Sequence, residues 1–70
     1  MTQITAPIPG TIHSINVAVG QAVLPDTVLL ILEAMKMENE VFAGVSGTVR
    51  SIAVTVGQTV NTDDLMVEIE

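Results

Sequence analysis

The sequence predicts an all-β fold, a flattened antiparallel barrel or sandwich of about eight short strands in two quasi-symmetric halves. The first observation behind this is an internal repeat. Residues 6–33 overlay residues 43–70 without a gap at an offset of 37, so that Gly10-Thr11 matches Gly47-Thr48, Ser14-Ile15 matches Ser51-Ile52 and Gly20-Gln21 matches Gly57-Gln58. Identities at a fixed spacing mark two copies of one supersecondary unit related by a pseudo-twofold axis, neither of which buries its apolar face alone. The second observation is an apolar period of two. Ile15, Val17 and Val19 alternate with Asn16 and Ala18, as Ile52, Val54 and Val56 alternate with Ala53 and Thr55, which is the pattern of half-buried strands. The third is turn chemistry at Gly20-Gln21, Pro25-Asp26, Gly57-Gln58 and Thr62-Asp63, separating runs rich in β-branched residues.

In chain order, Met1 to Ile4 is a candidate cover for Leu29 and Ile31, whose repeat partners are Met66 and Glu68. Without that cover, the first half would expose an apolar stripe that the second half lacks. Ile12 and Val49 fall out of phase with the residues after them in both copies, which predicts a bulge near His13-Ser14 and Arg50-Ser51. His13 has no companion ligand in the sequence and its repeat partner is Arg50, so both are expected on a solvated face rather than in a metal or catalytic site.

The segment Leu29 to Glu40 is rich in leucine, glutamate, methionine and lysine, and propensity alone would make it a helix. The repeat overrules propensity, because Val28, Leu30 and Leu32 align with Leu65, Val67 and Ile69, which alternate with Met66, Glu68 and Glu70 as a strand does. Val28 to Leu32 and Glu38 to Phe42 are therefore expected to be two strands joined by a tight connection with Lys36 at its tip. Met-Lys is poor sequence for such a turn, where Asn-Gly or Asp-Gly is the usual choice, and a broken local rule inside a consistent pattern points to function. Phe42, the one aromatic residue, is expected to fill core beside the base of this hairpin.

Composition narrows the function classes. A chain of 70 residues is one domain, and 49% hydrophobic residues with a mean hydropathy of +0.61 exclude disorder. No run approaches the roughly 18 apolar residues of a membrane span, and the N-terminus lacks a signal-peptide pattern. The absence of cysteine fits a reducing compartment, and cytoplasm is the expected location. Eight acidic residues against one lysine and one arginine give a net charge of −6, which excludes nucleic acid as a partner and disfavours anionic lipid. With no cysteine nucleophile, Gly-rich phosphate loop or cluster of metal ligands, no independent active site is expected. Lys36 is the only lysine, so apart from the α-amino group it is the only primary amine open to acylation. Near neutral pH such an amine is mostly protonated, and amide formation needs an activated acyl donor and an enzyme to take the proton.

The run Glu33-Ala34-Met35-Lys36-Met37-Glu38-Asn39 resembles the attachment motif of the biotinyl domain family, with its lysine between two methionines. Ala6-Pro7-Ile8-Pro9-Gly10 is similar to that family's Pro-Met-Pro-Gly opening, with Ile8 where methionine is common, and Ser46-Gly47-Thr48-Val49 extends the likeness into the second half. The resemblance implies a flattened barrel of two quasi-symmetric halves that presents the lysine on an exposed hairpin. It implies a biotin cofactor, joined to Lys36 by a biotin-protein ligase, that swings a carboxyl group between the sites of biotin carboxylase and carboxyltransferase or decarboxylase subunits. Glu33, Ala34, Met35, Met37 and Glu38 are implied as the residues that the ligase and partners read. From charge alone, Glu33, Glu38 and Glu40 are either solvated strand positions or an acidic collar that steers docking. Related lipoyl domains typically carry Asp-Lys-Ala at this position, so the methionine pair favours biotin. The uninterrupted first half looks like the plain domains of transcarboxylases, acyl-CoA and 2-oxoacid carboxylases and sodium-pumping decarboxylases, without the protruding thumb of the bacterial acetyl-CoA carboxylase carrier.

Overall fold

The computed structural model describes residues 1–70. Eight strands follow one another without a helix: β1 (Thr2–Thr5), β2 (Gly10–Ile15), β3 (Ala22–Val23), β4 (Val28–Ala34), β5 (Met37–Phe42), β6 (Gly47–Ile52), β7 (Thr59–Val60) and β8 (Leu65–Ile69). They form two four-stranded sheets, ordered β1-β8-β6-β3 and β5-β4-β2-β7, in which every pairing is antiparallel. The repeat is explicit in this order. Exchanging β2 for β6, β3 for β7, β4 for β8 and β5 for β1 turns one sheet into the other, and each sheet takes its two-residue edge strand from the opposite half.

The pairing register shifts between Ile12 and Ser14 in β2 and between Val49 and Ser51 in β6, so the bulges lie where the phase of the sequence places them. Each bulge keeps Ile12 or Val49 fully inside and swings the next residue, His13 or Arg50, into solvent. The core is a single apolar cluster, with Ile12, Leu29, Leu30 and Leu32 from one half against Val49, Val60, Met66, Val67 and Ile69 from the other, and no polar side chain is buried within it.

Three expectations need correction. The alternating runs Ile15 to Val19 and Ile52 to Val56 are not strands to their ends, because β2 stops at Ile15 and β6 at Ile52. Beyond those points the chain turns at Gly20 and Gly57, at φ 91° and 90°, a conformation that favours glycine. Gln21 Oε1 accepts from the Ala18 amide and Gln58 Oε1 from the Thr55 amide, which replaces ladder pairing by local bonds. Val17 and Val54 remain buried, whereas Val19 and Val56 are each 63% exposed. Second, Leu29 and Ile31 form no exposed stripe under Met1 to Ile4. A register shift between Val28 and Leu30 lets Leu29 and Leu30 both enter the core, Ile31 is half-buried opposite Glu40, and β1 pairs with β8 in the other sheet. Third, Phe42 is not core filling. It stands exposed on β5, two positions beyond Glu40 and four beyond Glu38, on the outer face that strand alternation gives all three.

Candidate functional site

The segment with helix-forming composition is the β4–β5 hairpin, closed by the pair Ala34↔Met37. Its loop is two residues long, Met35 and Lys36, and both have positive φ, 54° and 63°. This is the φ pattern of a type I′ turn, which matches the twist of the flanking strands but suits Asn-Gly far better than Met-Lys. Left-handed backbone at a residue with a Cβ costs on the order of 1 kcal/mol, so the turn holds two residues that backbone energetics would not choose.

The base of the hairpin supplies the order that the turn lacks. Asn39 donates through Nδ2 to the carbonyls of Leu32, at 3.2 Å, and Met37, at 3.3 Å, tying β5 to β4 just below the tip. Ala34 is only 6% exposed. Gly10 passes so close beneath it that a Cβ added there would lie 2.6 Å from the Glu33 carbonyl oxygen and 3.2 Å from the Ala34 Cβ. Small residues at 10 and 34 let β2 and β4 approach, and the turn is carried on that contact.

Above this base everything is exposed. Met35 is 87% and Met37 65% accessible, and Lys36 between them is exposed as well. No cavity opens in the surface, and Lys36 stands exposed at the turn. Of the residues expected to be read by partners, Met35, Met37, Glu33 and Glu38 present their side chains to solvent, whereas Ala34 is reached only through the turn that it supports. Glu33 and Glu38 are opposed across β4–β5, and His13 projects from the β2 bulge to place Nε2 3.6 Å from Glu38 Oε2. His13 is thus on a wet face, as the sequence suggests, but it does have companions: donor atoms of His13, Glu33 and Glu38 all fall within 4.8 Å of one another. The repeat hid this, since β5 lies outside the duplicated segments. Sequence reasoning also missed the Asn39 clamp, for which no signal exists, and the close approach at Gly10, which the identity of Gly10-Thr11 with Gly47-Thr48 could have flagged.

A family model described as biotin-requiring enzyme matches residues 2–69. The chain is 58% identical over 40 residues to the gamma subunit of methylmalonyl-CoA decarboxylase from Veillonella parvula, covering 57% of this chain and 31% of that protein. It is 59% identical over 39 residues to the biotin carboxyl carrier protein of Streptococcus mutans, covering 56% and 30% respectively. The chain therefore spans less than a third of the length of these relatives. Among solved structures, urea carboxylase from Kluyveromyces lactis superposes with a TM-score of 0.93 at 32% identity, over 99% of this chain and 6% of that one. The lipoyl domain of the 2-oxoglutarate dehydrogenase complex from Azotobacter vinelandii superposes with a TM-score of 0.86 at 26% identity, over 100% and 96%.

Proposed function

The chain belongs to the family of biotin-requiring enzymes, and on that premise we propose that residues 1–70 form one carrier domain in which Lys36 is the attachment point for biotin. One observation carries the assignment to this residue: the only lysine in the sequence occupies an exposed two-residue turn, between two exposed methionines, on a hairpin paired down to its base. An ε-amine presented in this way suits an enzyme that must close around it. Nζ attacks the carboxyl carbon of biotin once an ATP-dependent ligase has activated it, the activating group leaves, and the amine proton passes to the ligase. When attached, biotin supplies a ureido ring that holds and releases a carboxyl group.

The domain's own contribution is presentation. Gly10, Ala34 and Asn39 hold the hairpin base, while Glu33, Met35, Met37 and Glu38 offer the side chains that a biotin-protein ligase and the carboxylating partners read. A lysine stem on a protruding tip gives the cargo a long reach at high effective concentration, so two separate sites can be visited in turn. Biotin carboxylase and a carboxyltransferase or decarboxylase are the partner classes in keeping with the names of the relatives. The lack of cysteine fits a cytoplasmic setting, and no helix is long and apolar enough to cross a membrane.

The test is the intact mass of the domain after incubation with biotin-protein ligase, ATP and biotin, beside K36R. One biotinyl increment on the wild type and none on the variant is the expected result. An increment obtained only with lipoate ligase would replace biotin by lipoate, the reading that the likeness to a lipoyl domain keeps in view, and an increment surviving in K36R would move the site to the α-amino group.

A further inference from the structure

The two methionines at the tip are chemically odd for their position. A side chain that is 87% exposed buries nothing, and at an exposed turn any small polar residue would serve folding better. What a thioether adds is a soft lone pair that accepts an oxygen atom. The chain holds four methionines, and the fold treats them differently. Met66 is fully buried in the core. Met1 is exposed, but its sulfur accepts a hydrogen bond from Arg50 Nη1 at 3.2 Å. Met35 and Met37 have no partner and flank the one lysine. With no cysteine, tryptophan or tyrosine in the chain, Met1 is the one other exposed side chain that competes for a two-electron oxidant.

We propose that Met35 and Met37 are a paired site of reversible sulfoxidation, with a hydroperoxide as the oxidant, and that the oxidised tip is refused by the enzyme that acylates Lys36. In each step a thioether lone pair attacks the distal peroxide oxygen, the S–O bond forms as the O–O bond breaks, and the proton of the transferred hydroxyl passes to the departing oxygen, which leaves as water, or as an alcohol from an organic hydroperoxide. Sulfur loses two electrons and the peroxide gains them. A dithiol-dependent methionine sulfoxide reductase reverses the change, returning the thioether with one water and one disulfide. Oxidation replaces a flexible apolar surface by a polar S=O group on both sides of Lys36, so a partner surface that packs on the thioethers must then bury an oxygen without a donor. The switch rests on the carrier reading given above, whereas the selectivity of oxidation does not.

The experiment uses the domain before biotin is attached, treated with graded hydrogen peroxide. Peptide mass mapping reads each methionine, and a ligase assay on the same samples reads the rate of biotin incorporation. Met35 and Met37 should be oxidised well ahead of Met66, and the rate should fall at least about tenfold, the scale of penalty for burying an unpaired polar group. Treatment with methionine sulfoxide reductase should restore it. The double variant M35L/M37L, whatever its basal rate, should be indifferent to peroxide, and a loss persisting there would place the effect on Met1 and overturn the proposal. Oxidation of Met35 and Met37 no faster than that of Met66 would overturn the site, and an unchanged rate with both sulfoxides formed would overturn the switch. An untreated domain that takes no biotin would sink the carrier reading and the switch with it, while the peptide map would still decide the modification site.

Discussion

Glu33 and Glu38 are directly opposed across the β4–β5 ladder, two carboxylates in register at the root of the hairpin, with His13 as the one basic side chain beside them. Like charges opposite one another weaken a sheet. Replacing Glu33 by Gln should therefore raise stability by about 0.2–1 kcal/mol in urea unfolding at neutral pH and low salt. The gain should shrink as added salt screens the pair. A loss of stability would show that the carboxylate makes a favourable contact not evident in the geometry.

The left-handed turn leads to a second prediction. Asn tolerates positive φ better than Met, so M35N should stabilise the domain by roughly 0.5–1 kcal/mol, whereas β-branched M35V should destabilise it by about 1 kcal/mol or more. Denaturant midpoints test the backbone argument. Ligase assays on the same two proteins should show both modified more slowly than wild type, including the one that folds better.

Gly10 and Gly47 offer a matched pair. A Cβ at either position would collide with a backbone carbonyl, that of Glu33 or that of Glu70. Both G10A and G47A should cost about 1–3 kcal/mol, the usual cost of overpacking that shifts backbone. Only G10A should also disturb the β4–β5 hairpin, visible as amide chemical-shift changes at residues 33–38 and, on the proposed function, as slower Lys36 modification at temperatures where both variants remain folded. Equal perturbation of the hairpin by G47A would refute the local account.

Leu32 is fully buried in β4 beneath the Asn39 clamp. L32A should cost about 2–5 kcal/mol, and because small domains have little stability to lose, the denaturant midpoint should fall steeply with the slope unchanged. A cost below about 1 kcal/mol would mean that the core collapses around the cavity.

Most of the architecture was legible because the duplicated sequence could be read against itself. The alignment of Val28, Leu30 and Leu32 with Leu65, Val67 and Ile69 was enough to override a helix propensity spread over the Leu29 to Glu40 segment. The phase break after Ile12 and Val49 located both bulges. The readings that failed did so where a period of two cannot report on backbone pairing. Val19 and Val56 continue the alternation into turns where a glutamine side chain accepts from the Ala18 or Thr55 amide, and Leu29 enters the core through a register shift that no composition announces. At the site, the position of Lys36 followed from the motif and the strand boundaries. The proximity of His13 to Glu38 did not, because it depends on which way the β2 bulge throws a side chain toward a strand that lies outside the duplicated segments.

The exchange of edge strands between the halves also bears on when the β4–β5 loop acquires its shape. Strand β4 buries Leu29, Leu30 and Leu32 against Val49, Val60, Met66, Val67 and Ile69, all of which follow Lys36 in the chain, and β2 is flanked by β7. A nascent polypeptide that has emerged only as far as the hairpin has β2 to pair with β4 but lacks those five core residues of the second half. The lysine is translated halfway along the sequence but is displayed only when β8 is in place, so an acylating enzyme that recognises the finished turn acts on completed domains and passes over truncated ones.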